Sequence, residues 1–309
     1  MLCVIGDLVE DVVVWLPTAL SYGTDTPSKI VRTRGGSASN VAVFAAAINS
    51  ATNDAINNDS NKKFRSRLIA QVGDDSLGDQ LVATLEASGV EPCVVRSGRT
   101  GSIVVIVSRD GERTMLTDRA AATELKQAPE NWHEGISILH VPAYSLFSEP
   151  LSTAARKCIA IAHEKKIAVS IDASSASLVK SFGVTKFRQL IAELNPKIFF
   201  CNTDEAEVLN LVAQPLKLDI VVIKAGAAPT TLIHMGEKSE VAVTSVGEIV
   251  DSTGAGDAFA AGFLTKFEQT HIYSAPNEQI DKQNLHECVI AGHQLAARVL
   301  RSPGATMEA

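Results

Sequence analysis

The run Asp251-Ser-Thr-Gly-Ala-Gly-Asp-Ala-Phe259 sets a glycine-rich turn directly before an apolar, helix-like stretch. The first backbone N–H groups of a helix have no intrahelical acceptor, and the helix dipole adds positive potential there. Such a place suits an anion such as a phosphate. Asp257 stands in the first turn of that helix. A carboxylate beside a phosphate is electrostatically costly. The chemistry that would keep it there is removal of a proton from an attacking hydroxyl by a general base. Taken alone, Gly254, Ala255 and Gly256 read equally well as a plain loop, and Asp257 as a partner of the helix dipole. Thr253 and Asp251 sharpen the signal by adding a capping hydroxyl and a second carboxylate. No Gly-x-x-x-x-Gly-Lys-Ser/Thr loop occurs, and no Gly-x-Gly-x-x-Gly fingerprint follows the first apolar run.

The elements that must position these residues show in the hydrophobic pattern. Residues 2–5, 67–72, 136–141, 168–172, 198–201 and 220–223 are short apolar runs that read as strands. Residues 41–48, 77–88, 151–165, 184–194, 204–211, 256–267 and 285–300 read as helices. Ser39 or Asn40 is the expected cap of the first. Alternating strands and helices predict an α/β domain with a parallel sheet covered on both faces. Residues 12–16, 102–108 and 113–117 are β-rich, with an Asp110-Gly111 turn between the last two. Residues 12–34 and 96–120 therefore read as a small second sheet inserted into a single domain spanning 1–309. Residues 49–63 read as a polar loop, 232–234 with 240–246 as a hairpin, and 276–283 as a polar stretch. Polar clusters follow the strands directly: Gly6-Asp7, Gly73-Asp74-Asp75, Asp172, Asn202 to Glu205, and Lys224 to Gly226. Ligands of open α/β sheets bind beyond the carboxyl ends of strands, so one rim is the expected functional edge.

Bulk properties narrow the function. The 309 residues carry a formal net charge of −7, which argues against nucleic acid held on a basic face. No apolar segment reaches the ~20 residues of a membrane span. The five cysteines are scattered and form no Cys-x-x-Cys pair, as expected of reduced thiols in a cytoplasmic protein. The N-terminus lacks the basic region of a signal peptide.

The 251–259 run, together with Gly35-Gly-Ser-Ala-Ser-Asn40 and its alanine-rich continuation, resembles the paired signatures of the ribokinase-like (PfkB) carbohydrate kinase family. Further family-like pieces follow in order: Gly6 to Asp11, Val72-Gly-Asp-Asp-Ser-Leu-Gly78, Asp110-Gly-Glu-Arg113, Asn202-Thr-Asp-Glu205 and Pro303-Gly-Ala305. The resemblance covers essentially the whole chain. It implies a ribokinase-like three-layer sandwich with a central, mostly parallel sheet and a small β-sheet lid. It also implies ATP-dependent phosphorylation of a hydroxyl on a sugar or sugar derivative.

Residue by residue, the resemblance assigns Asp257 as the base and Gly254, Ala255 and Gly256 as an anion hole. Asp11, Gly35, Gly36 and Asn40 match the sugar-facing loop; Asp11 on its own reads also as an exposed strand residue. Asn202, Lys224, Gly226 and Thr253 fall on the nucleotide side, although Pro229 stands where a glycine is usual. His293 falls where relatives place residues beside adenine; a packing histidine is the other reading. Glu205 matches a residue associated with Mg²⁺ through its waters, although Asn202 and Glu205 also suit a helix cap. Asp251, Thr253 and the loop at 301–304 fall where some relatives bind an activating K⁺. Arg32, Arg34, Arg113 and Arg119 lie in the lid region. Arginine forks suit anions, so Arg113 or Arg119 is expected at the substrate, against the alternative of a solvated sheet face. The partners implied are a small-molecule sugar and ATP, with neither nucleic acid nor membrane, and a homodimer through the lid. Alternatives are a nucleoside kinase of the same fold, disfavoured by an aromatic content of 5%, and a non-catalytic sensor.

Overall fold

The computed structural model describes residues 1–56, 65–109, 112–243, 246–247, 249–271, 280–302 and 304–307. The expected Asp110-Gly111 turn, residues 57–63 of the polar loop, Thr244 and Ser245, residues 276–279 and Pro303 lie outside them. In chain order the strands are β1 (Leu2–Ile5), β2 (Val9–Trp15), β3 (Lys29–Gly35), β4 (Ser66–Val72), β5 (Val90–Arg96), β6 (Thr100–Val107), β7 (Arg113–Ala120), β8 (Ile138–Pro142), β9 (Ala168–Asp172), β10 (Ile198–Asn202), β11 (Ile220–Lys224), β12 (Thr230–His234) and β13 (Glu237–Val241). The helices are α1 (Ser37–Ile56), α2 (Ser76–Ala87), α3 (Leu151–Glu164), α4 (Ala176–Phe182), α5 (Val184–Leu194), α6 (Thr203–Val208), α7 (Ala255–Gln269) and α8 (Lys282–Val299).

Nine strands form the central sheet in the order β13-β12-β11-β10-β9-β8-β1-β4-β5, parallel except where β12 and β13 pair antiparallel. Both faces are buried, so alternate side chains of one strand feed different cores. Phe200 joins Val4, Leu68 and Val222 under α1, α2, α7 and α8. Phe199 and Cys201 join Ile5, Val169 and Val221 under α3, α4, α5 and α6. This is the three-layer, ribokinase-like sandwich expected. A second sheet, β3-β2-β6-β7, lies within residues 9–35 and 100–120. Asp75 anchors it: one oxygen accepts from the Thr100 N–H (2.7 Å) and the other from the Thr100 hydroxyl (2.6 Å) and the Gly78 N–H (2.8 Å). The carboxylate after β4 therefore serves lid attachment rather than the rim.

The differences from the pattern reading have local causes. Helix α1 starts at Ser37, so Ser39 and Asn40 lie inside it and do not cap it. Gly36, at φ +101, turns the chain into the helix where an added Cβ would meet the Asp7 carbonyl oxygen at 2.5 Å. The helix also continues to Ile56, into the expected loop. Strand β5 escaped the reading because Pro92 interrupts it. Proline is tolerated there because β5 is the sheet edge. The late hairpin turns at Met235 (φ +50) and Gly236 (φ +84), which starts β13 earlier than expected. Helix α4, at seven residues, is too short to show a period.

Phe263 on α7 is fully buried, edge-on to Phe200 at 5.1 Å and stacked on Phe267 at 6.1 Å. Phe263→Ala should lower unfolding free energy by about 3–5 kcal/mol, measured by urea denaturation. A loss below about 1 kcal/mol would show that α7 is not seated on this core.

Candidate active site

The carboxyl ends of β1, β8, β9, β10 and β11 open on a cavity of about 330 Å³, roofed by Ile103, Val105 and Met115 of the lid. At its floor stands Asp257. The αL turn at Gly254 (φ +75) starts α7 and places Asp257 in its first turn. Glycine is required at that turn, because a Cβ would lie 2.8 Å from the Ala305 methyl. One carboxylate oxygen accepts from the Ser37 hydroxyl (2.7 Å), the other from the Asn40 amide (2.8 Å). Asn40 is itself held, its amide oxygen accepting from Arg34 at 2.7 Å. Burial raises the Asp257 carboxyl to about 7; Ser37 and Asn40 offset part of that, and Asp172 adds to it.

One end of the cavity carries Asp7, Asp11, Arg119 and Tyr144. Asp11, on β2, lies directly over Gly35, where a Cβ would fall 2.0 Å from its oxygen. Burial and then Asp7 raise Asp11 to about 6, against the pull of Arg34 and Arg119. Arg119 donates to Asp7, and its guanidinium lies 4.6 Å from the Tyr144 ring centre. Asp7 also accepts from the Ala38 N–H at 3.1 Å.

The other end carries Asp172, Asn202, Glu205 and Lys224. Asn202 and Glu205 close a capping box on α6: the Glu205 N–H donates to Asn202 and the Asn202 N–H to Glu205, each at 2.8 Å. The cap reading of these residues holds, and the cap fixes a carboxylate at the cavity wall. Burial, then Asp172, push the Glu205 carboxyl up. Lys224 donates to Asp172 at 2.6 Å. Burial works against its charge, but Asp172 and Glu205 outweigh that and hold it protonated. Gly256 faces this ammonium, which would sit in ordinary contact, 3.5 Å, with an added Cβ.

The structure therefore gathers Asp11, Gly36, Asn40, Arg113, Arg119, Asn202, Glu205, Lys224, Thr253, Gly254, Gly256 and Asp257 on one cavity wall. Other expected residues lie apart from it. The Ala255 N–H turns back to the Ser252 carbonyl at 3.3 Å. Gly226 (φ +59) makes an exposed turn before β12. His293 shares a hydrogen bond with Thr230 at 2.8 Å and packs edge-on to Phe259 at 5.4 Å. The Asp251 side chain faces Arg113, Thr253 and Gly304. Asn40 supports Asp257, a role its place in the glycine-pair loop did not suggest. Ser37, Tyr144 and Ser174 were not singled out in the sequence. Asp7 and Asp172 were visible only as carboxylates ending strands. Ser37 carried a usable signal, a hydroxyl residue immediately after a glycine pair.

The sequence model of the pfkB family carbohydrate kinases matches residues 1–308. An adenosine kinase of Schizophyllum commune is 27% identical over 267 residues, 73% of this chain and 70% of that protein. A probable fructokinase-5 of Arabidopsis thaliana is 27% identical over 221 residues, 65% of this chain and 67% of that one. Among solved structures, a fructokinase with bound ATP from Xylella fastidiosa superposes with a TM-score of 0.77 at 19% identity, covering 98% of this chain and 93% of that chain. A family match running from the first strand past α8, on a fold that superposes over nearly its whole length, shows that the chain belongs to the pfkB family of carbohydrate kinases.

Proposed function

We propose that the protein transfers the γ-phosphoryl group of ATP to a hydroxyl of a neutral sugar, with Asp257 accepting the hydroxyl proton. The observation that carries this is the placement of one carboxylate, raised to about 7, in the first turn of α7 beside the Gly254 turn, on a cavity lined also by Asp7, Asp11, Asp172 and Lys224. A base with a pKa near the working pH is both deprotonated and strong enough to take a proton. The Gly256 and Asp257 N–H groups in the first turn of α7 and the Lys224 ammonium would face charge on the transferring phosphoryl. Asp11 and Asp7 would accept hydrogen bonds from sugar hydroxyls. The lid would exclude water and so suppress hydrolysis of ATP.

The ATP-bound relative supports the nucleotide. Asp172 and Glu205 are buried carboxylates, with the Lys224 ammonium bonded to Asp172, a donor set that suits Mg²⁺ keeping most of its waters. Bound there, Mg²⁺ would supply charge neutralisation on the phosphates. The Asp251 side chain does not suit K⁺: its carboxylate already accepts from the Thr253 N–H (2.6 Å), the Gly304 N–H (2.8 Å) and Arg113.

Neutrality of the acceptor follows from the pairing of the basic side chains. Arg113, Arg119 and Lys224 on the cavity wall are bound to Asp251, Asp7 and Asp172. The acceptor end thus presents Asp7, Asp11 and Asp257 against Arg34 and Arg119, and an anionic sugar would meet a surplus of like charge. A nucleoside is the second reading, favoured by the apolar roof of Ile103, Val105 and Met115. Among the described residues the one aromatic ring on the wall, Tyr144, has Arg119 against its face, which leaves less for a base to stack on.

The cytoplasm suits the five free, buried thiols. Among the described residues no helix is long and apolar enough to cross a membrane. The homodimer belongs to this reading as well. The outer face of the lid aligns Ile30, Val14 and Ile106 in one row and Val12, Val104 and Leu116 in the next. Ile30 and Leu116 are more than half exposed. These apolar rows, which end at Arg32 and Thr114, ask for a partner, and a second lid supplies an identical surface.

Three outcomes test the proposal. Asp257→Asn should lower kcat about 1,000-fold while ATP still binds, and wild-type kcat/KM should fall about tenfold per pH unit as pH drops below about 7, because protonation removes the base. Retention of most of the turnover by the variant would remove Asp257 from its role. In a coupled assay over sugars, sugar acids, sugar phosphates and nucleosides, a neutral sugar should exceed its anionic counterpart in kcat/KM by about 100-fold or more. A sugar phosphate at the head of that panel would refute the neutral acceptor, and adenosine at its head would select the second reading. Sedimentation should give a dimer that Leu116→Glu converts to monomer; a wild-type monomer at micromolar concentration would refute the lid interface.

A further inference from the structure

Arg113 opens β7, the outer strand of the lid, yet its guanidinium reaches the loop before α7, 138 residues away. One nitrogen donates to an Asp251 carboxylate oxygen and another to the Thr253 hydroxyl. Both partners are shielded, with side chains 19% and 9% exposed, so water screens the pair little. The same carboxylate takes the N–H groups of Thr253 and Gly304. Burial would raise the Asp251 carboxyl, but these donors and Arg113 outweigh it and hold it below its ordinary range. The Asp251 N–H in turn donates to the Leu300 carbonyl at 3.2 Å. Asp251 therefore ties the Gly254 turn to the end of α8 and the following loop, accepting two backbone N–H groups with the Arg113 guanidinium against it.

We propose that Arg113 is the built-in cation of the phosphate-binding loop: its guanidinium takes the place that a monovalent metal ion would take at Asp251, and it bolts the lid to that loop. Arg113 is thus a positioning residue that sets the Gly254 turn, and through it Asp257, without touching the reacting atoms. The protein then works indifferently to the monovalent cation in solution. A guanidinium forked onto a carboxylate and a hydroxyl fixes direction as well as charge, which a spherical ion does not. Lid position and loop geometry become one variable, because the Arg113 side chain joins β7 to the loop before the Gly254 turn.

The inference depends on the phosphotransfer reading only in its kinetic arm. Melting temperature and turnover are measured in KCl, NaCl and choline chloride at equal ionic strength, for the wild type and for Arg113→Ala. The wild type should melt and turn over alike in all three salts. A specific gain in KCl would overturn the proposal. Arg113→Ala should lose about 100-fold in kcat, the scale of a 1 Å misplacement in an active site, and should gain a response in both melting and rate to K⁺ or to millimolar guanidinium. A variant that responds to neither ion would also overturn it. If Arg113→Ala does not fold, Arg113→Lys should keep the wild type's indifference to the salt, and a K⁺ response in that variant would count against the proposal. If no acceptor is turned over at all, the phosphotransfer reading fails, while the melting data still decide the role of Arg113.

Discussion

The structure is organised by the cost of gathering negative charge at one rim of a buried sheet. Asp7, Asp172, Glu205 and Asp251 are each less than 9% exposed, and Asp11 and Asp257 stand beside them. Charges in such a place persist only when paired or hydrogen-bonded. Each of the buried four has a different solution. Asp7 has Arg119 and a backbone N–H, Asp172 has Lys224, Asp251 has Arg113 and two backbone N–H groups, and Glu205 has the cap of α6. The partners come from both sheets, so the lid is bound to the core by the charges that make the site.

Asp257 is the exception that gives the site its chemistry. It receives two neutral donors, Ser37 and Asn40, but no cation of its own. Its proton affinity therefore stays high, where a salt bridge would have lowered it. Arg34 lies one hydrogen bond further away. It orients Asn40 without quenching the carboxylate, so geometry is fixed while basicity is retained. A base arranged in this way is suited to take a proton near neutral pH.

The parts legible in the sequence are those whose physics is local. A glycine turn, a carboxylate in a first helical turn and a capping box of Asn202 and Glu205 lie within a few residues of one another, and the strand alternation showed which rim they share. What escaped depends on contacts between distant segments. The Lys224–Asp172 pair spans 52 residues, and the Asn40–Asp257 bond spans 217. The expectation that Arg113 or Arg119 serves the substrate came from residue type and from their place in the lid region. The partner of Arg113, Asp251, is a matter of how the lid folds over the core. Strand β5 was hidden for a different reason: a proline that a central strand rejects is acceptable at an edge.

The chemistry of the site rests on the state of a single carboxyl group, and that state can be observed without any substrate. Protein labelled with ¹³C at aspartate carboxyl carbons, with the Asp257 signal assigned by its loss in Asp257→Asn, can be titrated by NMR. A midpoint at about 7 is the predicted result. A midpoint near the ordinary aspartate value of about 4 would contradict the claim that burial without a counter-charge makes Asp257 the base.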